Sequence, residues 1–126
     1  MTINQHIIDK AIDVAKKSNV RRGKVGAVLF TSSGEIIAFT SNKTCTGQKD
    51  KFTIHAEELL LAKAHKLKAG ARFGIPNLAM LVVRWKSSTK KLAMAKPCSS
   101  CEFLIKEAGL DNVYYSDESG EIVKLK

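Results

Sequence analysis

The chain has little of what marks the non-globular classes. Two prolines and eight glycines among 126 residues exclude collagen-like and low-complexity chains, which are much richer in both. No run of about 18 apolar residues occurs, so no transmembrane helix is expected. The amino-terminal stretch "MTINQHIIDKAIDVAKK" interleaves polar and apolar groups where a signal peptide would be continuously apolar. A cytoplasmic location without membrane contact is therefore expected. Three cysteines are an odd number, and without a secretory signal a disulfide framework gives way to reduced thiols or metal ligation. Internal repeats, biased tracts and interdomain linkers are missing too, and a single domain spanning residues 1–126 is expected.

What is present suits a packed core: 44% hydrophobic and 26% charged residues, the make-up of a folded domain. Lys and Arg number 21 against 12 Asp and Glu, a formal charge of +9. Such an excess favours encounter with nucleic acid, nucleotide phosphates or an anionic surface, although lysines on a solvated face explain it equally well. The basic residues are scattered, with loose groups at Arg21, Arg22, Lys24, at Lys63, Lys66, Lys68, Arg72, and from Arg84 through Lys86, Lys90 and Lys91 to Lys96.

Hydrophobic periodicity sets the order of elements. Ile3, Ile7, Ile8, Ala11, Ile12 and Ala15 recur with the helical period and predict a covering helix over 2–18. "VGAVLFTSSGEIIAFTS" reads as two buried strands joined by a turn at Ser32, Ser33 and Gly34. The polar "NKTCTGQKDKFT" is a connector, and "IHAEELLLAKAHKLK" a helix with Thr53 as its cap and Glu57 and Glu58 at its positive end. "GARFGIPN" is a loop, "LAMLVVRW" a central strand, "KSSTKK" a turn and "LAMA" a short extended piece. A helix is expected from about Cys98 to Ala108, closed by Gly109 as C-cap. "DNVYYS" and "EIVKLK" flank Asp117 to Gly120 as a last hairpin. Helix, two strands, helix, strand, helix, two strands is the order of a three-layer α/β/α sandwich.

Chemistry concentrates at two helix starts. Cys98 and Cys101, at i and i+3, share a helix face where N–H groups favour thiolate. With His55 they make three soft or borderline donors, a set that binds zinc and leaves its fourth position open. Two thiolates cancel the metal's charge, so a nearby carboxylate should assist water activation. Either Glu57 or Glu58 could serve; at about 100° per residue Glu58 shares a face with His55 and Glu57 lies well round the helix. The bland readings are a hydrogen-bonded core histidine and inert core thiols. A redox Cys-x-x-Cys would follow the first strand of a parallel unit and leaves His55 and Glu57 unexplained. A purely structural zinc site would need Cys45 or His65 as fourth ligand.

"HAE" at 55–57 and "PCSSC" at 97–101 together fit the H-x-E…P-C-x-x-C signature of zinc-dependent nucleobase deaminases. The chain resembles the cytidine and deoxycytidylate deaminase superfamily over nearly its whole length, "VGAVLF…GEIIAFTSNK" being similar to the strand pair and substrate loop before the His-Ala-Glu helix. The resemblance implies a mixed five-stranded sheet, zinc held by His55, Cys98 and Cys101, and Glu57, not Glu58, as general acid and base. It implies attack by activated water on C4 of cytosine or C6 of adenine, with ammonia leaving. Asn42 matches a ribose or base contact, Ala56 offers backbone contacts to the base, and Phe52 is the best candidate for stacking; Phe73, Trp85, Tyr114 and Tyr115 suit the core better.

Two departures bear on substrate. Cytidine deaminases proper usually carry Cys-Ala-Glu where this chain has His55, Ala56 and Glu57, whereas the terminal hairpin resembles that branch's antiparallel fifth strand. The glutamate often found before Pro-Cys is replaced by Ala95 and Lys96. The expected substrate is a cytosine nucleoside or nucleotide, with a base in single-stranded DNA or RNA as the alternative. A nonenzymatic nucleic-acid-binding module with structural zinc is a third reading. Assembly into a homo-oligomer is expected from the family's habit.

Overall fold

The computed structural model describes residues 3–20, 23–31, 33–46, 51–66, 78–108, 110 and 112–125, with backbone alone for 45, 46, 51–53 and 64–66. Helix α1 runs Gln5–Lys16, shorter than the periodicity predicts at both ends. Asn4 sets its start, the side-chain oxygen accepting from the Ile7 N–H at 3.0 Å, a cap that contributes about 1 kcal/mol. At the other end Ser18 leaves the helix and gives its hydroxyl to Asn42. Strands β1 (Lys24–Thr31) and β2 (Ile36–Ser41) form the expected antiparallel hairpin. Its turn uses Gly34 at φ 91°, and the Gly34 N–H bonds the Thr31 carbonyl at 2.9 Å. Burial differs from expectation: β1 is a core strand, whereas β2, at the sheet edge, has only Ala38 fully buried.

The connector after β2 is ordered as a second, two-stranded sheet, β3 (Lys43–Thr46) against β4 (Lys51–Ile54). Thr53 pairs with Thr44 in that ladder and is not the helix cap. Helix α2 follows at Ala56–Lys66. Strand β5 (Leu78–Lys86) is central, paired antiparallel with β1 and parallel with β7 (Asn112–Ser116). The extended "LAMA" piece contributes β6 (Lys91–Ala93), which folds back on the end of β5 as a short sixth strand. Helix α3 spans Ser99–Glu107, and β8 (Ile122–Lys124) closes the sheet antiparallel to β7. Gly109 and the loop at 70–77 lie outside the described residues.

The main sheet has the order β2-β1-β5-β7-β8 with β6 on β5. Alternation along its strands divides the core into two layers. Ala27, Leu29, Met80, Val82 and Val113 face α2 and α3, where Ala56, Leu60 and Ile105 meet them. Val28, Phe30, Ala79, Leu81 and Val83 face α1, where Ile7, Ala11 and Ala15 meet them. Trp85 and Tyr114 pack in that second layer and Tyr115 in the first, as core aromatics. Each fully buried aliphatic side chain contributes about 1.5–3 kcal/mol. No helix among the described residues is long and apolar enough to cross a membrane.

One end of the sheet gathers the start of β1, the end of β2 and the carboxyl end of β5. Ser116, fully buried, pins this end. Its hydroxyl donates to the Ala93 carbonyl at 2.6 Å and accepts from the Arg84 N–H at 3.3 Å. Its carbonyl accepts from the Ala95 N–H at 2.8 Å. The chain from 94 to 98 is thereby led across the sheet end into α3, and the crevice so formed is where ligands bind in α/β folds.

Candidate functional site

His55 sits between β4 and α2. Its carbonyl accepts from the Leu59 N–H at 3.1 Å, so it occupies the cap position and not a helical one. That position voids the face-counting that favours Glu58, because a cap residue has left the helical conformation. The ring projects toward α3 while Glu57, one turn-step inside the helix, is the carboxyl that is buried, at 5% exposure. Glu58 stays half-exposed, its Oε1 3.9 Å from His55 Nδ1. The helix start is held against the sheet by Thr40, whose hydroxyl donates to the Ala56 carbonyl at 2.7 Å.

On α3, Cys98 is the N-cap residue in extended conformation and Cys101 lies in the first turn, 1% exposed. Both cysteines are free thiols. Cys101 Sγ is 3.1 Å and Cys98 Sγ 3.7 Å from His55 Nδ1, and all three donor atoms lie within 4.8 Å of one another. Zinc with bond lengths of about 2.3 Å to sulfur and 2.0–2.1 Å to nitrogen puts tetrahedral neighbours about 3.6 Å apart. Donor type and spacing both fit that ion.

The two thiols are unequal. The Ser100 hydroxyl, 3.2 Å from Cys98 Sγ, and the Cys101 N–H hold the Cys98 thiol down to about 7. Burial, and then the Glu57 carboxylate beside it, push the Cys101 thiol well above its ordinary value. Cys101 therefore needs the metal itself to displace its proton. Glu57 is also raised above the usual carboxylate range, first by burial, against the opposing pull of its own backbone N–H and of His55.

These groups open on a cavity of about 350 Å³ lined by His55, Ala56, Glu57, Cys98, Asn42, Arg84 and Lys96, among others. Of the predicted contacts, Ala56 and Asn42 are on its wall. Asn42 is already engaged: its Oδ1 accepts from the Ser18 hydroxyl at 2.6 Å and the Val25 N–H at 2.9 Å. Its Nδ2 donates to the Gly23 carbonyl at 2.8 Å. One amide N–H is left over for a ligand. Phe52 lies in β4 opposite Cys45, and its side chain is outside the described set. Arg84 is a wall residue that the sequence reading takes only as part of a basic group. Its signal lay in the strand alternation, since Met80, Val82 and Arg84 share one face of β5, the face toward α2 and α3.

The model of the cytidine and deoxycytidylate deaminase zinc-binding region matches residues 1–117. The chain belongs to that deaminase family. A cytidine deaminase from Burkholderia pseudomallei superposes with TM-score 0.69 at 24% identity, over 98% of this chain and 93% of that one. A diaminohydroxyphosphoribosylaminopyrimidine deaminase/5-amino-6-(5-phosphoribosylamino)uracil reductase from Thermotoga maritima superposes with TM-score 0.58 at 23% identity, over 90% of this chain and 29% of that one. At these identities the likeness is one of fold, and it extends to the whole α/β sandwich. No curated protein sequence matches the chain. Zinc is the family's metal, and His55, Cys98 and Cys101 are the residues positioned to hold it.

Proposed function

We propose that this deaminase converts the cytosine of a nucleoside or nucleotide into uracil with release of ammonia. The observation that carries this reading is Glu57, a carboxyl 5% exposed on the wall of the cavity that also holds His55 and Cys98. A metal site with a purely structural task has no use for it. Zinc held by His55, Cys98 and Cys101 supplies Lewis-acid activation of water. Glu57 moves the protons. Its carboxylate accepts one from the attacking water and gives it to the ring nitrogen beside the amine-bearing carbon. It then carries the remaining hydroxyl proton to the departing amine, so that ammonia leaves and a carbonyl forms. Burial raises the Glu57 carboxyl above its ordinary value, which favours its holding a proton between the two transfers. We assign contacts with the base or its sugar to the spare N–H of Asn42 and the backbone of Ala56, both on the cavity wall.

Replacing Glu57 by Ala is expected to leave the zinc content unchanged while ammonia release falls by a factor of about 10² to 10⁴. Metal analysis and an ammonia assay on the same preparation check this, and undiminished turnover would sink the assignment. A second reading, a base within single-stranded DNA or RNA, is favoured by Lys86, Lys90 and Lys91, all exposed around the β5–β6 turn. Turnover of a cytosine-containing oligonucleotide, with none of the free nucleoside or its monophosphate, would establish it instead.

A further inference from the structure

The side chain of Arg84 lines the cavity and takes no part in the proton transfers. Its Nε–H is shut off from solvent and has no hydrogen-bond partner among the described residues. No described carboxylate forms an ion pair with it, Glu57 included. The guanidinium lies beside Gly23, where a Cβ would come within 3.3 Å of Nη2 and 3.4 Å of Cζ. Gly23 has φ 72°, a conformation that other residues rarely adopt, so the berth for the guanidinium is built from backbone. Lys96, exposed at the rim, lines the same cavity. Two thiolates and a neutral imidazole cancel a divalent zinc ion, so Arg84 and Lys96 outweigh Glu57 and leave the cavity with a cationic lining. Burying the Nε–H unpaired is costly, and Arg84 also lines the cavity, where its other guanidinium N–H groups are donors for a ligand.

We propose that Arg84, with Lys96 beside it, is the anion-recognising residue of the pocket, and that it selects a cytosine nucleoside monophosphate over the uncharged nucleoside. This rests on the deaminase reading above. A guanidinium presents a rigid fork of donors matched to phosphate oxygens. The cavity, about 350 Å³, is at the small end of ligand pockets, which run from about 300 to 1,000 Å³, and so favours one mononucleotide over a strand. The lysines that could follow a strand, Lys86, Lys90 and Lys91, are not part of its lining.

The test compares zinc-loaded protein with Arg84→Gln and Arg84→Lys, each first shown to be folded by its melting curve. Turnover of cytidine, deoxycytidine, their monophosphates and a single-stranded oligonucleotide is measured alongside calorimetric binding of uridine and uridine monophosphate. The expected result is a kcat/KM about 30- to 100-fold higher for monophosphate than for nucleoside, a ratio that collapses in Arg84→Gln and survives in part in Arg84→Lys. Equal handling of nucleoside and monophosphate, a ratio unmoved by Arg84→Gln, or turnover of the oligonucleotide alone would overturn the proposal. Should nothing be turned over while uridine monophosphate still binds more tightly than uridine through Arg84, the anion site stands and the deaminase reading falls. Deamination without phosphate preference gives the reverse.

Discussion

Asn42 shows how far one side chain serves both fold and site. Its amide joins the end of β2, the start of β1 and the residue that leaves α1, through Val25, Gly23 and Ser18. Replacing it by Ala strands the part-buried Val25 N–H and Gly23 carbonyl and takes the side-chain acceptor from the buried Ser18 hydroxyl, and stability is expected to fall by about 2–3 kcal/mol. Urea denaturation checks this; weaker turnover with stability unchanged would make Asn42 a substrate contact only. At this scale the site was partly legible in sequence. His55, Cys98 and Cys101 stand out by donor type and spacing, which owe nothing to packing. Helical geometry could not separate Glu57 from Glu58, because His55 caps the helix instead of joining it; the family resemblance named Glu57, and Glu57 is the carboxyl that the fold buries. Arg84 hid behind its own charge: a cation at the end of an apolar strand reads as a solvated terminus until both faces of the strand are assigned.

At the scale of the elements, α1 seats directly on Gly26 of β1. A Cβ on Gly26 would lie 2.5 Å from the Ala11 carbonyl oxygen and 2.7 Å from the Ala15 nitrogen, both backbone atoms of the helix. Gly26→Ala should therefore push α1 off the sheet and cost about 1–3 kcal/mol, seen as a lowered denaturation midpoint; an unchanged midpoint would mean that the helix seats itself elsewhere at no cost. Elements with a hydrophobic period were the legible ones. α1, β1, β5 and α3 each present Ile, Val, Leu or Cys to a core layer, and their sequences must show it. The β3–β4 pair was not legible, because its sheet stands apart from the main one and no alternation is demanded of "NKTCTGQKDKFT". β6 was half legible: "LAMA" is extended as read, but its pairing depends on the turn that brings Lys91 opposite Lys86.

For the molecule as a whole, the donor set is a tie between parts distant in sequence. His55 belongs to the start of α2 and the cysteines to the start of α3, helices that also share one core layer. An ion that binds only the folded form adds about 4 kcal/mol when present at a thousand times its dissociation constant. Removing zinc with a chelator is accordingly expected to lower the melting temperature, with recovery on adding zinc back; scanning calorimetry reads both, and a melt indifferent to chelation would remove His55, Cys98 and Cys101 as a metal site. The excess of positive charge, the most visible property of the composition, decides none of this, since charge governs encounter and not fold.

The placement of β5 between β1 and β7 has a consequence for how the protein is made. The His55 half of the site is synthesised before the strand that must lie between it and the cysteine half in the chain. A growing polypeptide therefore offers an incoming ion one imidazole at first, too few donors to retain it. The full donor set exists only once the chain has been made through Cys101, so metal loading comes after the synthesis of β5.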